Sequence, residues 1–171
     1  MEKSDKNTLL FKALASLSQK KPFHDISISV LCQQAGVSRM YFYRHFNTLD
    51  EIIAQHINDD FRRFVRLIDH RRIKNSAIFI ETFLQVLEPD LPELAIFLKN
   101  DRANLIQTIF QNDLAELIKV DTLPFPKVHN PYWQVYVAGG LTRVLVTWFE
   151  QAHPESPKQM GQLITQIVNK P

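Results

Sequence analysis

Four glycines and a single cysteine in 171 residues set the first limits on this chain. One thiol, Cys32, allows no intramolecular disulfide and no cysteine-based zinc centre. So few glycines leave little room for a phosphate-cradling loop, and Gly139 and Gly140 lie inside a helical pattern without the spacing such loops need. Alternating runs rich in Val and Thr are scarce, which argues against sheet. No apolar stretch follows a basic start, so no leader peptide is expected. The most apolar window, 135–149, is interrupted by Arg143 and is shorter than the roughly 20 residues of a membrane-crossing helix. A nucleophile with a paired base, a metal-ligand cluster and a phosphate loop are all missing from the pattern, so neither an enzyme nor a cofactor is expected. The default expectation is a soluble, cytoplasmic protein.

What is present points to helices. Hydrophobic residues make up 45% of the chain, enough to bury a core, and the class expected is all-α. Residues 1–72 hold twelve Lys/Arg against eight Asp/Glu, whereas 73–171 hold eight against ten. The N-terminal part is thus mildly basic, as suits a polyanionic partner. Apolar stripes at three- and four-residue spacing predict helices over 5–20, 28–34, 39–45 and about 50–72. Ser4 or Asp5 is placed to cap the first, Ser27 the second and Ser38 the third. Phe23 and Ile26 should plug the core of the small N-terminal unit. Further helices are expected near 75–88, 92–99, 101–119, 132–152 and 157–169, with a proline-bearing loop over 121–131. The helix over 132–152 is apolar nearly all round, so it must be covered on more than one side, plausibly by a second copy of the chain.

The stretch Ile28 to Phe46, ISVLCQQAGVSRMYFYRHF, carries the functional signal. Gly36 fits the left-handed position that ends one helix, and Ser38 then starts the next. A short helix, a glycine turn and a second helix set the second at a steep angle, so that it protrudes. Phe42 and Phe46, four apart, should face inward. That leaves Arg39, Met40, Tyr41, Tyr43, Arg44 and His45 on the remaining faces. Arg39 and Tyr41 lie on the first turn, within reach of base edges in a major groove, and an arginine can pair bidentately with guanine. Tyr43, Arg44 and His45 suit phosphate contacts. Ser27, Ser29 and Ser38 sit at helix N-termini, where hydroxyls and free amides favour phosphate.

The run FHDISISVLCQQAGVSRMYFYRHFNTLDEII resembles the DNA-binding domain of the TetR family of bacterial transcriptional regulators. The matching residues are Ser27-Ile28, Ala35-Gly36-Val37-Ser38, Tyr43 and Phe46, and Asp50-Glu51-Ile52. The resemblance implies that Arg39, Met40, Tyr41, Tyr43, Arg44 and His45 contact DNA. Many members place a lysine three residues after the recognition-helix Phe, where it meets a phosphate. Leu49 stands there in this chain, and that contact is expected to be missing. Gly139-Gly140, Trp148 and Ser156-Pro157 are similar to a subgroup of short regulators that includes dihydroxyacetone kinase regulator-like proteins. This implies a ligand domain and a homodimer built on the last two helices.

The reading is therefore a helix-turn-helix unit over 1–48 followed by an effector and dimerisation domain over 49–171. The dimer interface is expected at Val137, Gly140, Leu141, Val144, Trp148, Leu163, Ile164 and Ile167. Phe79, Phe83, Phe110, Trp133 and Tyr136 are the candidate lining of an effector cavity. The function expected is a repressor that binds a palindromic double-stranded DNA operator as a homodimer and is released by a small molecule. The alternative is a regulator or co-activator controlled by a partner protein, without a small-molecule pocket. His56 and Asp60, four apart, have the spacing of a metal pair but read as a solvated or satisfied pair, so no metal is expected. Cys32 reads as a small buried residue. The arginines 62, 63, 66, 71 and 72 read as a solvated face balanced by nearby Asp59, Asp60 and Asp69.

Overall fold

Side-chain caps open most of the helices in the computed structural model, which describes residues 5–119, 124, 130–151 and 155–168. The first helix, α1 (Lys6–Ser18), is an exception: Asp5 occupies its cap position without a side-chain hydrogen bond. The other candidate cap, Ser4, lies outside the described residues. A short 3-10 turn, Phe23–Asp25, leads into α2 (Ile28–Ala35), where Ser27 Oγ accepts from the Val30 amide at 3.3 Å. Gly36 ends α2 with φ 65°, a conformation that glycine adopts without penalty. Val37 then tucks inside the turn, and its amide donates to the Cys32 carbonyl at 2.9 Å. Ser38 Oγ caps α3 (Arg39–His45) by accepting from the Tyr41 amide at 3.2 Å.

Thr48 caps α4 (Leu49–Arg71), and Glu51 reaches back to accept from the Asn47 amide at 2.8 Å. This reciprocal Thr-x-x-Glu arrangement fixes where the long connecting helix leaves the recognition helix. Asn75 caps α5 (Ser76–Leu87). A 3-10 turn over Glu88–Asp90 follows, then α6 (Leu91–Phe97). Asn100 and Asp101 break helical geometry, with φ 60° at Asp101, before α7 (Ala103–Lys119) begins. Asn130 caps α8 (Pro131–Glu150), and Pro131 takes the first helical position. The last described helix is α9 (Pro157–Val168), with Ser156 and Gln159 forming a reciprocal cap. The loop expected over 121–131 lies largely outside the described residues.

Packing joins two groups of helices. In the first, α1 packs on α2 and α4, and α2 on α3. Leu10, Phe11, Leu14, Leu31, Phe42, Phe46, Ile52 and Ile53 make its interior, and Phe23 and Ile26 close it as expected. In the second, α5 packs on α9, α7 on α8, and α4 on both α5 and α7. The two groups share a seam where α1 meets α6. There Phe97, fully buried, lies 5.4 Å from the Phe11 ring and 6.5 Å from the Phe23 ring. Arg102 straps the same seam: its Nε donates to Asp50 Oδ1 at 2.7 Å, and its guanidinium lies 3.9 Å from the centre of the Phe23 ring. Among the described residues no helix is long and apolar enough to cross a membrane.

Candidate nucleic-acid interface and internal sites

The short helix α3 displays on its open faces the residues expected there. Phe42 and Phe46 anchor α3 from below, and Arg39, Met40, Tyr43, Arg44 and His45 stand exposed. Met40 and Tyr43 are 72% and 64% exposed, unusual for such apolar bodies unless a partner covers them. Ser27, Ser29 and Ser38 are exposed at the two helix starts. Ser27 and Ser38 hydroxyls already accept from backbone amides, which leaves their protons free to be donated.

Tyr41 behaves differently from its neighbours. It leans towards α1, donates its hydroxyl to Asn7 Oδ1 at 3.0 Å and lies 4.3 Å from the His45 ring. Partial burial pushes its phenol pKa up, aided by Asp5. Lys6 Nζ sits 4.9 Å from the centre of the Tyr41 ring and brings a further cation beside the recognition helix. Sequence reasoning missed Lys6 and Asn7, because nothing local says that the start of α1 folds back onto α3. Leu49, in place of a lysine, packs partly against the core. Cys32 is buried, and desolvation raises its thiol pKa, which leaves it unreactive.

An apolar cavity of about 70 Å³ lies between α4, α5, α7, α8 and α9. Phe79, Phe83, Phe110 and Trp133 line it, as expected. Tyr136 does not: it is 70% exposed on the outer side of α8. Conversely Val137, Leu141 and Ile164, expected at a dimer interface, line the cavity. Trp148 is also turned inward, 3% exposed, with Nε1 donating to the Glu155 carbonyl at 2.7 Å. For the four of these residues on α8 the cause is the same: a helix that is apolar nearly all round offers no periodicity from which to tell its inner from its outer face. Ile164 lies instead on α9, which carries a regular apolar stripe, and reaches the cavity from there. The outward apolar residues are instead Tyr132, Val135 and Tyr136 on α8, and Leu163 and Ile167 on α9. Gly140 is exposed, and Val144 is partly buried against the core.

The cavity wall carries one carboxyl, Asp113, that the sequence reading did not single out. Its Oδ2 is buried without a hydrogen-bond partner. Burial pushes its pKa up to about 7, against a smaller opposing pull from Arg62. An unfolded aspartate titrates near 4. The native state therefore gains relative stability from the protonated form at low pH, and loses it as pH rises from about 4 to about 7. Asp113→Asn is expected to raise the melting stability at pH 8 by about 1–2 kcal/mol, after allowance for partial solvent access, and by less at pH 5. Thermal melts of both proteins at the two pH values measure this, and a difference independent of pH would contradict it.

A second polar group gathers on the other side of α4. His56 and Asp60 are joined by Asp90 from the Glu88–Asp90 turn, all three buried, with one potential ligand atom from each lying within 4.8 Å of the others. His56 Nε2 lies 3.1 Å from Asp90 Oδ2 but off the line of a hydrogen bond. The imidazole stacks on Phe11 at 3.8 Å. Asp60 Oδ1 accepts from Arg63 at 3.1 Å, and Arg63 also donates to the Val86 carbonyl. Burial raises the Asp60 pKa to about 6, opposed by His56. Burial acts most strongly on Asp90, and upward, but His56 together with Lys12 and Arg63 outweighs it and the net shift is downward.

No family model matches the chain. A relative among curated proteins is the uncharacterized HTH-type transcriptional regulator YdgC of Bacillus subtilis, 26% identical over 122 residues. The match takes in 64% of this chain and spans about three fifths (60%) of that relative's length. Among solved structures, Lin0861 from Listeria innocua superposes with a TM-score of 0.78 at 18% identity, over 95% of this chain and 88% of that one. The fatty acid degradation regulator FadR from Bacillus halodurans gives 0.58 at 16% identity, over 98% and 96%. The dihydroxyacetone kinase operon activator DhaS gives 0.57 at 15%, over 95% and 93%. At these identities the likeness shows the fold alone: an all-α chain with N-terminal helix-turn-helix elements and a C-terminal helical bundle.

Proposed function

We propose that this chain is a DNA-binding transcriptional regulator of the TetR family that acts as a homodimer on a palindromic operator. The observation that carries the reading is α3 itself. It is capped by Ser38, seated on Phe42 and Phe46, and covered outside by Arg39, Met40, Tyr43, Arg44 and His45. Phosphate contacts from such residues set register, and base edges are read from the first turn. The similarity to helix-turn-helix regulators supports the same reading. Residues 1–48 form the DNA-binding unit and 49–171 the regulatory one, with α4 as the lever between them.

In a dimer, the outward residues Tyr136, Leu163 and Ile167 would face the second copy. Two recognition helices would then lie about 34–36 Å apart or somewhat more, one turn of DNA. Repression is the proposed sign. An effector that favours another spacing of the two helices would release the DNA. At about 70 Å³ the internal cavity is well below the roughly 300–1,000 Å³ of drug-sized pockets. Its size suits a compact apolar effector, and it equally favours control by a partner protein docking on the C-terminal bundle.

Selection of bound DNA from a random pool at two salt concentrations tests the proposal. A palindromic motif bound with steep salt dependence is the expected outcome. The absence of any enriched motif would overturn it. On the selected site, Tyr43→Ala and Arg44→Ala should each weaken binding by about tenfold or more, and Arg44→Ala should reduce the salt slope by about one. Unchanged binding in both variants would remove α3 from the interface.

A further inference from the structure

We propose that His56, Asp60 and Asp90 form a binding site for one borderline divalent cation, zinc in the first instance, at the junction between the helix-turn-helix unit and the bundle. Three observations converge. The donor set is one imidazole and two carboxylates, whose charges balance a dication and whose chemistry suits a first-row metal rather than calcium or magnesium. The three residues are 6–8% exposed, yet Asp60 Oδ2 has no hydrogen-bond partner and His56 Nε2 meets only Asp90 Oδ2, 3.1 Å away and off the line of a hydrogen bond. Buried polar atoms of that kind are rare in native proteins and call for a ligand.

The geometry is close to what zinc requires. Ligands about 2.0–2.2 Å from a tetrahedral ion stand roughly 3.3–3.6 Å from one another. His56 Nε2 and Asp90 Oδ2, 3.1 Å apart, already approach that spacing. The Asp60 carboxylate needs only a small swing, since the three ligand atoms lie within 4.8 Å of one another. Arg63 holds Asp60 by Oδ1, which leaves Oδ2 as the ligating oxygen. Phe11 fixes the plane of the imidazole from the opposite element.

The cluster also opens to solvent. A polar groove of about 460 Å³ runs over it, bordered by Asn7, Thr8, Asp59 and Pro89. It gives an ion a path inward and room for water to complete the coordination shell. Arg62, Arg63 and Arg66 line the same groove; Arg62 and Arg63 are each engaged with a carboxylate, Asp59 and Asp60 respectively. A bound ion would tie α4 to the Glu88–Asp90 turn directly, and to α1 through the Phe11–His56 stack.

The test uses the full chain, freed of tags and stripped with a chelator. Zinc is titrated by calorimetry and cobalt by visible absorption, with melting temperature read in parallel. Binding of one equivalent per chain is expected, with a rise in melting temperature and visible cobalt bands of a four- or five-coordinate site. Asp60→Asn and Asp90→Asn, which keep shape and remove ligand charge, should each weaken zinc binding at least tenfold. Asp69→Asn, which removes an exposed carboxylate of the same helix away from the groove, should bind as the parent does. No stoichiometric binding by the parent overturns the proposal, and so does parental affinity in both cluster variants, which would place the ion on surface histidines. None of the three readouts involves DNA, so the result stands apart from the regulator reading.

Discussion

Phe97→Ala is expected to destabilise the protein by about 3–5 kcal/mol, the usual cost of emptying a buried aromatic site. That is a large share of the roughly 5–15 kcal/mol that holds a typical domain together. Its melting temperature should fall by roughly 10 °C. The ring is fully buried and touches both Phe11 of α1 and Phe23 of the following 3-10 turn. Its removal opens a void at the seam between the two groups of helices rather than in the middle of either. The loss should therefore show in two ways. Thermal unfolding should move down, and the amides of α1 should exchange faster than those of α5 and α9. A loss below about 1 kcal/mol would mean that the seam closes over the missing ring.

The second large effect concerns two glycines with opposite expected outcomes. Gly161 of α9 lies against α5, where an added Cβ would stand 2.8 Å from the Ala77 carbonyl oxygen and 3.0 Å from the Glu81 amide. Both neighbours are backbone and cannot swing aside. Gly161→Ala should thus force the two helices apart, at about 1–3 kcal/mol, despite the gain of nearly 1 kcal/mol that alanine brings to a helix interior. Gly161→Val should cost more. At Gly140 an added Cβ meets nothing within 4 Å in the protomer. There only the propensity term remains, and Gly140→Ala should stabilise the protomer by about 0.5–1 kcal/mol. Denaturant unfolding of the two alanine variants measures both. Equal signs would refute the packing assigned to α5 and α9.

Local signals carried the N-terminal third of the sequence into structure with few errors. Ser27, Gly36 and Ser38 act through their own hydrogen bonds or backbone angle, within four residues of where they stand. Phe42 and Phe46 announce an inward face by spacing alone, and both are buried. The bundle was harder to read because its decisive contacts are not local. In α8 the choice between Val137, which lines the cavity, and Tyr136, which does not, rests on where α7 lies. Trp148 turned inward because the Glu155 carbonyl was there to accept its indole proton. The break at Asn100 and Asp101 falls where the expected helices 92–99 and 101–119 divide, although neither Gly nor Pro marks it. Likewise the pair His56 and Asp60 was visible at helical spacing, but Asp90 arrives from a turn thirty residues away in the chain. Asp113 was lost among the polar residues of an amphipathic helix, since only the neighbouring helices make its position a cavity wall.

The Arg102 strap bears on how such chains can be recombined. Its guanidinium spans from Asp50, on the first turn after the recognition helix, to the face of Phe23. Phe97 beside it sits on Phe11 and Phe23. Residues 1–48 are consequently not a cassette that ends at a flexible joint. A head transplanted from another chain of this fold would need its own counterpart of Phe11 and Phe23 to seat on this bundle. A hybrid cut at residue 48 would leave Phe97 and Arg102 facing whatever the donor supplies. The better crossover carries the seam with the head, so that the head is exchanged without dismantling the fitting through which the bundle holds it.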